Sequence, residues 1–298
     1  MPEIKQHFFY FEGKTADFFP SVGLKLSGNC RFKCPFCCEP NRTQQVYPLN
    51  NFISIANILK KLGTRRLCFT GGDPLSHKDI GALLQYTKSL DFFNLLLTTD
   101  AKALKEKQRE VIPFVSAVRF SVHAIGSEHD NIVGCRGSFR ATEKMIDVLH
   151  AEKIPCYVTT VITTKNIMFV KNILEWCVKN GIQSYFIFGL MRSGLGNDFI
   201  RKYGQVSEQE ISNIISILRN KYSPEDIEII YYDYYKQADC VLVYGDGKII
   251  IDPYPKPPTF QLEIGNIFSD TREDILKFFS HDPKNYDGYV NHFLKHKK

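Results

Sequence analysis

The sequence has no apolar run long enough to cross a membrane. Phe92 to Leu97, one of its longest, is interrupted by Asn94 and falls far short of the roughly 20 residues a spanning helix needs. Met1 to Tyr10 carries Glu3, Lys5 and Gln6 and lacks the apolar stretch of a secretory signal, so a cytoplasmic protein is expected. There is no low-complexity tract and no Gly/Ser-rich linker. At 298 residues, 44% hydrophobic and 23% charged, the chain is ample for a core, and disordered and collagen-like classes are excluded. The basic doublets Lys60-Lys61 and Arg65-Arg66 flank helix ends without interleaved aromatic residues, and Lys295 to Lys298 reads as a solvated tail. The formal charge of +6 is modest, and without such interleaved basic clusters a nucleic-acid partner is not expected.

What the sequence has in quantity is cysteine. Nine are present, at positions 30, 34, 37, 38, 68, 135, 156, 177 and 240. Disulfides are rare in a reducing compartment, so thiols there need another account. Cys68, Cys156 and Cys177 stand singly in apolar runs and read as small core residues. Cys30, Cys34 and Cys37, in CRFKCPFC, are three soft ligands on one short loop, which points to a metal. A structural zinc site needs a fourth ligand, usually from a second CxxC or a His pair, and neither follows downstream, although Cys38 or a distant residue could supply one. Three thiolates on an iron–sulfur cluster leave one iron open to a small ligand, as a reactive site requires.

The rest of the chain alternates strand and helix. Strand-like runs cover Val22 to Ser27, Arg66 to Thr70, Phe92 to Thr98, Ala117 to Val122, Cys156 to Thr163 and Ser184 to Gly189. Helical periodicity covers Asn51 to Leu62, Lys78 to Leu90, Ala103 to Val111, Ser138 to Ala151, Met168 to Asn180 and Ser207 to Lys221, with Ser138 as an N-cap and Gly63 and Gly181 as C-terminal stops. Six such units predict an α/β fold with a parallel sheet, either doubly wound or an open, partial (βα)6 TIM-type barrel. Ligands then bind at the C-terminal ends of the strands. Residues 1–221 form this unit. Residues 222–298 form a small mixed α/β extension, with a β-prone tyrosine run at Ile227 to Tyr235, a hairpin around Gly245 to Gly247 and a short helix at Thr271 to Ser280.

In these motifs the chain resembles the radical S-adenosylmethionine (radical SAM) superfamily, in the branch of the molybdenum-cofactor GTP cyclase and the SPASM-type maturases. The resemblance rests on CxxxCxxC at Cys30, Cys34 and Cys37 with Phe36 before the last ligand, and on Gly71-Gly72-Asp73-Pro74 where the family has a GGE-type motif. FSVHAIGSEHDNIVGCRGSF and VTTVITTKN extend it, so that it covers residues 25–196. It implies one [4Fe-4S] cluster on the three cysteines, with S-adenosylmethionine (SAM) chelated at the open iron. One electron, from an external carrier such as flavodoxin or ferredoxin, then releases a 5′-deoxyadenosyl radical that takes hydrogen from a substrate. Carried over motif by motif, Gly71, Gly72 and Asp73 meet the SAM amino group, Asp73 being shorter than the usual Glu. Thr98, Ser121 and Arg136 meet its ribose and carboxylate, and Leu190 or Met191 packs on the adenine. Each has a plainer reading: Gly71-Gly72 as a turn, Ser121 as a strand-end hydroxyl, Arg136 as a partner of Glu128 or Asp130, His123 and His129 as polar surface, Cys38 and Cys135 as bystanders.

The tail, ADCVLVYGDGKIIIDPY followed by LEIGNIF, resembles a SPASM or twitch extension. Such extensions carry several cysteines for auxiliary clusters. Here Cys240 stands alone and Asp252 occupies a cysteine's place, which implies a degenerate extension without an auxiliary cluster. The missing cysteines and the missing terminal Gly-Gly also set the chain apart from the GTP cyclase. With the first barrel strand near Val22, no N-terminal peptide-recognition domain is expected. The expected substrate is a small molecule: a nucleoside, sugar nucleotide or amino acid, with Arg192 as an anchor if it is anionic. A peptide or protein maturase of the same superfamily, and a metal-stabilised binding or electron-carrier module without SAM chemistry, are the alternatives.

Overall fold

The computed structural model describes residues 10–11, 14–39, 46–98, 100–232, 241–252 and 261–280. Thr99, Asp233, Tyr234, Tyr235, Cys240, residues 253–258 and Lys295 to Lys298 lie outside them.

Ten strands make one sheet: β1 (Ser21–Lys25), β2 (Arg66–Thr70), β3 (Phe93–Thr98), β4 (Ala117–Ser121), β5 (Cys156–Val161), β6 (Ser184–Phe188), β7 (Glu228–Tyr232), β8 (Val241–Tyr244), β9 (Lys248–Ile251) and β10 (Leu262–Asn266). Their spatial order is β10-β9-β8-β1-β2-β3-β4-β5-β6-β7. The run from β8 through β1 to β7 is parallel, and β9 and β10 are antiparallel at one edge. The α/β barrel class and the mixed C-terminal sheet are therefore as expected. The tail, however, adds strands at both edges. β7 continues the parallel run past β6, while β8 enters beside β1.

The helices follow the strands: α1 (Leu49–Lys61), α2 (Ile80–Ser89), α3 (Ala101–Glu106), α4 (Gln108–Val111), α5 (Ser127–Val133), α6 (Ser138–Ala151), α7 (Val170–Lys179), α8 (Leu195–Tyr203), α9 (Glu208–Lys221) and α10 (Arg272–Ser280). Two of them, α5 and α8, escape the periodicity. They are 7 and 9 residues long and start after Gly126 and Gly194, too short for a 3.6-residue repeat to register. The helix expected over Ala103 to Val111 starts earlier and breaks in two, because the Asp100 carboxylate accepts the Ala103 N–H (2.9 Å) and caps α3. Ser138 is not the N-cap of α6. Gly137 holds that position at φ +75°, and the cap comes from Asp130, whose carboxylate accepts the N–H groups of Gly137 (2.5 Å) and Phe139 (2.9 Å). Gly63 and Gly181 do end α1 and α7 in left-handed backbone (φ +94° and +62°).

Strand alternation divides the sheet into two faces. Val22, Leu24, Leu67, Phe69, Leu96, Val118, Phe120, Val158, Tyr185 and Ile187 are fully buried under the helices. The alternate residues (Lys25, Cys68, Thr70, Leu97, Arg119, Ser121, Tyr157, Thr159, Val161, Phe186) face the inside of the partial barrel, and most stay half-exposed. Outside is core; inside is open. Leu96→Ala empties a fully buried position and is expected to lower unfolding free energy by about 2–5 kcal/mol in urea titrations. Leu97→Ala, one residue away on the half-exposed inner face, is expected to cost less than half of that.

Candidate active site

The segment from Ser27 to Glu39 leaves β1 and forms no helix or strand beyond one bridge, Ser27 to Val46. It is held by its neighbours. From the end of β2, the N–H of Gly72 donates to the Ser27 carbonyl (2.7 Å) and that of Asp73 to the Asn29 carbonyl (2.8 Å). From the end of β3, Asp100 forms an ion pair with Arg31. From α5, after β4, the Val133 carbonyl accepts the Lys33 N–H (2.9 Å). Past β6, the Leu195 N–H donates to the Cys37 carbonyl (2.9 Å) and Ser193 Oγ to the Cys38 carbonyl (3.2 Å). At the loop's far end Glu39 pairs with Lys25 of β1 (2.5 Å), and Lys25 also donates to the Tyr244 hydroxyl of β8 (3.0 Å). Burial works against a charged Lys25, but Glu39 and Tyr244 outweigh it and hold its pKa above the ordinary lysine value.

Glycine is required where β2 meets this loop. A Cβ on Gly71 would lie 2.3 Å from the Ser27 carbonyl oxygen, and one on Gly72 2.3 Å from that of Asn29. Gly71 also sits at φ +148°. The two glycines thus let the strand end touch the cysteine loop backbone to backbone.

Cys30, Cys34 and Cys37 are all half-buried on this loop, while Cys38 is exposed. Among the described residues no three His, Cys, Asp or Glu side chains are gathered closely enough to hold a single metal ion. Cys156 and Cys177 are buried, which pushes the Cys156 thiol up to about 12 and Cys177 well above its usual value, as expected of inert core thiols. Cys68 is not a core residue; it faces the inside of the barrel with its sulfur 3.9 Å from Ser21 Oγ.

Phe36 is buried at the mouth. It packs with Leu190 and Phe199 and meets the His123 ring edge-on at 5.0 Å. Met191 is also buried, next along the same segment. The Asp73 carboxylate is buried and accepts from the Leu75 N–H (3.0 Å), the Asp100 N–H (3.2 Å) and the Thr98 hydroxyl (2.7 Å). The structure thus joins two predicted site residues, Asp73 and Thr98, to each other. Ser121 is half-buried at the inner end of β4. Arg136 is exposed on the turn between α5 and α6, where its carbonyl accepts from Lys102 Nζ (2.5 Å).

Sequence reasoning misplaced the histidines. His123 and His129 are buried, not surface, with rings stacked at 6.1 Å. His129 Nδ1 accepts the His123 N–H (3.1 Å), which places its proton on Nε2, facing Ser138 Oγ (3.4 Å). Burial lowers the pKa of His123 to about 3 and of His129 to about 4. His123 Nδ1, beside Phe36, and Thr159 Oγ1, inside the barrel, are buried polar atoms without a protein partner. Unsatisfied polar atoms at the mouth and inner wall suit a site built around a polar ligand.

A loop carrying three cysteines is thus pinned across the strand ends of a parallel α/β barrel. The family model for the radical SAM superfamily matches residues 24–177, more than half of the chain, and the protein belongs to that superfamily. Its members use a [4Fe-4S] cluster and SAM. A probable GTP 3′,8-cyclase of Saccharolobus islandicus is 22% identical over 63% of this chain, and an AdoMet-dependent heme synthase of Oleidesulfovibrio alaskensis is 22% identical over 58%. The chain spans 62% and 46% of those relatives' lengths. In fold it matches Streptococcus suis SuiB bound to S-adenosylmethionine (TM-score 0.68, 13% identity, 90% of this chain and 67% of that one). It also matches SuiB bound to its precursor peptide SuiA (0.66, 15%, 96% and 69%). Among the described residues no helix is long and apolar enough to cross a membrane.

Two outcomes follow from this geometry. Gly72→Ala is expected to displace the cysteine loop, so that iron retained after reconstitution falls by more than half while the far-ultraviolet circular dichroism is unchanged. Because His123 and His129 bind protons more weakly folded than unfolded, their contribution to stability is flat above about pH 6.5. It should fall as pH drops from there toward 4, by up to about 1.4 kcal/mol per pH unit for each histidine. Urea midpoints at pH 7 and pH 5 measure it, and His129→Gln should flatten the slope.

Proposed function

We propose that Cys30, Cys34 and Cys37 hold a single [4Fe-4S] cluster, and that the enzyme takes hydrogen from a small, anionic biosynthetic substrate inside the barrel. The observation that carries this reading is the fixing of the three-cysteine loop by the ends of β1, β2, β3 and by segments after β4 and β6. When bound, the cluster and SAM supply one-electron cleavage and an organic radical that abstracts hydrogen.

The remaining roles fall to the chain itself. Gly71 and Gly72 bring backbone against the loop, where carbonyl groups can receive the SAM amino group. Asp73, held by Thr98 and the Asp100 N–H, keeps that edge in place and adds the negative charge an ammonium favours. Ser121, pointing inward, suits a ribose hydroxyl, and Arg136, on the turn beside Lys33, suits the carboxylate. Leu190, packed with Phe36, or Met191, buried next to it in sequence, suits the adenine face. With Cys240 the only cysteine after Cys177 in the sequence and Asp252 hydrogen-bonded to Gln261 (2.8 Å), the C-terminal strands serve as a cap without an auxiliary cluster.

For the substrate, Arg119 is the better anchor than Arg192. Arg192 is exposed and donates to Gln205. Arg119 faces the inside of the barrel with its guanidinium over the rings of Phe186 (4.8 Å) and Phe188 (5.5 Å). That arrangement offers a fixed fork of donors to a carboxylate or phosphate. SuiB, solved with a precursor peptide, has a similar fold, so a peptide substrate is the reading to test against this one.

Anaerobic reconstitution should give about four irons per chain, and reduction with SAM present should yield 5′-deoxyadenosine. About eight irons would contradict the single-cluster reading. Cys34→Ala should lose both the brown colour and 5′-deoxyadenosine formation, reducing the latter at least a hundredfold. Retention of either contradicts the ligand assignment.

A further inference from the structure

On the outside of the barrel, α3 and α6 flank an open groove of about 590 Å³. Lys102, Lys105, Arg140 and Lys144 line it, and Glu106 is the one carboxylate among its lining residues. Four cations against one acid give this groove a charge equal to half of the whole chain's formal excess of +6. Lys105, Arg140 and Lys144 are exposed, and none forms an ion pair among the described residues. The sequence separates the two halves of the groove by more than thirty positions, and only the packing of α3 on α6 makes them one surface.

The groove adjoins the cysteine loop by three contacts. Asp100, the N-cap of α3, pairs with Arg31, next to Cys30. Lys102 reaches the Arg136 carbonyl, with its ammonium 3.9 Å from the Cys135 sulfur. On the same turn, Gly134 lies against the side chain of Lys33. This basic surface groove thus adjoins the segment that carries Cys30, Cys34 and Cys37.

We propose that this groove is the docking surface for the enzyme's electron donor, a small acidic carrier protein. This rests on reading the cysteine loop as the cluster site. The carrier's redox group gives up one electron and the cluster accepts it; no proton moves and no bond is made or broken. An acidic partner gains from the groove both a faster encounter and an orientation that turns its redox group toward the loop. Such an interface is salt-sensitive, because exposed charges are screened over about 8 Å at physiological ionic strength.

The test uses flavodoxin as the probe and a variant carrying Lys105→Glu, Arg140→Glu and Lys144→Glu, all exposed and none in the proposed SAM or cluster machinery. Calorimetric titration of the reconstituted enzyme with oxidised flavodoxin should give a Kd that weakens as salt rises. In the variant the Kd should rise at least about tenfold and lose most of its salt dependence. The triple Gln variant should fall between the two. 5′-Deoxyadenosine formation driven by reduced flavodoxin should drop by a similar factor, and that driven by dithionite, which needs no docking, should be unchanged. A variant that binds flavodoxin as wild type does, with the same salt dependence, overturns the proposal. So does a wild-type enzyme that binds neither flavodoxin nor ferredoxin, or a groove that takes up inorganic phosphate without affecting flavodoxin binding. Failure of dithionite to drive the wild-type reaction would instead overturn the cluster reading.

Discussion

Everything at the candidate site depends on a loop that cannot hold its own shape. Ser27 to Glu39, which carries Cys30, Cys34 and Cys37, has almost no regular hydrogen bonding within itself. Its order comes from outside: two backbone bonds from β2, an ion pair from α3, one bond from α5, two from the segment before α8, and the Lys25–Glu39 pair at its end. In a parallel sheet all strand ends of one kind lie on one side, so a loop laid across them collects restraints from elements far apart in sequence. Removing a single restraint leaves the others in place. Removing the close approach at Gly71 and Gly72 does not, because a side chain there would push strand and loop apart.

The same sheet resolves a conflict between stability and access. A barrel that packed both faces with aliphatic side chains would be stable and closed. Here the outward face is a dense layer of Val, Leu, Ile and Phe beneath the helices, and the inward face mixes Arg119, Ser121, Thr159 and Tyr157 with Phe186 and Phe188. The stability lies outside and the chemistry inside, separated by one residue of strand register. The buried His123–His129 pair belongs to this boundary. Its rings stay neutral, fill space beneath Phe36, and fasten the turn after β4 to α6 through Ser138.

Much of this was legible in the sequence, for identifiable reasons. Each of β1 to β6 and the long helices are periodic runs in which local pattern and tertiary demand agree. Cys30, Cys34 and Cys37 are visible because spacing itself is the signal, and Phe36 and the Gly71 to Asp73 segment because they resemble a family motif. What stayed hidden depends on contacts across many residues. No local pattern announces that Asp130 caps α6, that Asp73 binds Thr98, or that Lys105 and Arg140 share a groove. His129 looked like surface because it lies in a polar stretch, SEHDN, and only its helix turns it inward. β7 and β8 were readable as strands, but their places at opposite edges of one sheet were not, since sequence order says nothing about which edge a late strand joins.

The central claim is that the pinned loop carries one cluster with an iron open to SAM. Electron paramagnetic resonance of the anaerobically reconstituted, reduced protein tests it most directly. The account predicts a single [4Fe-4S]+ signal close to one spin per chain, whose g-values shift when SAM is added. A signal indifferent to SAM, or two distinct cluster signals, would contradict it.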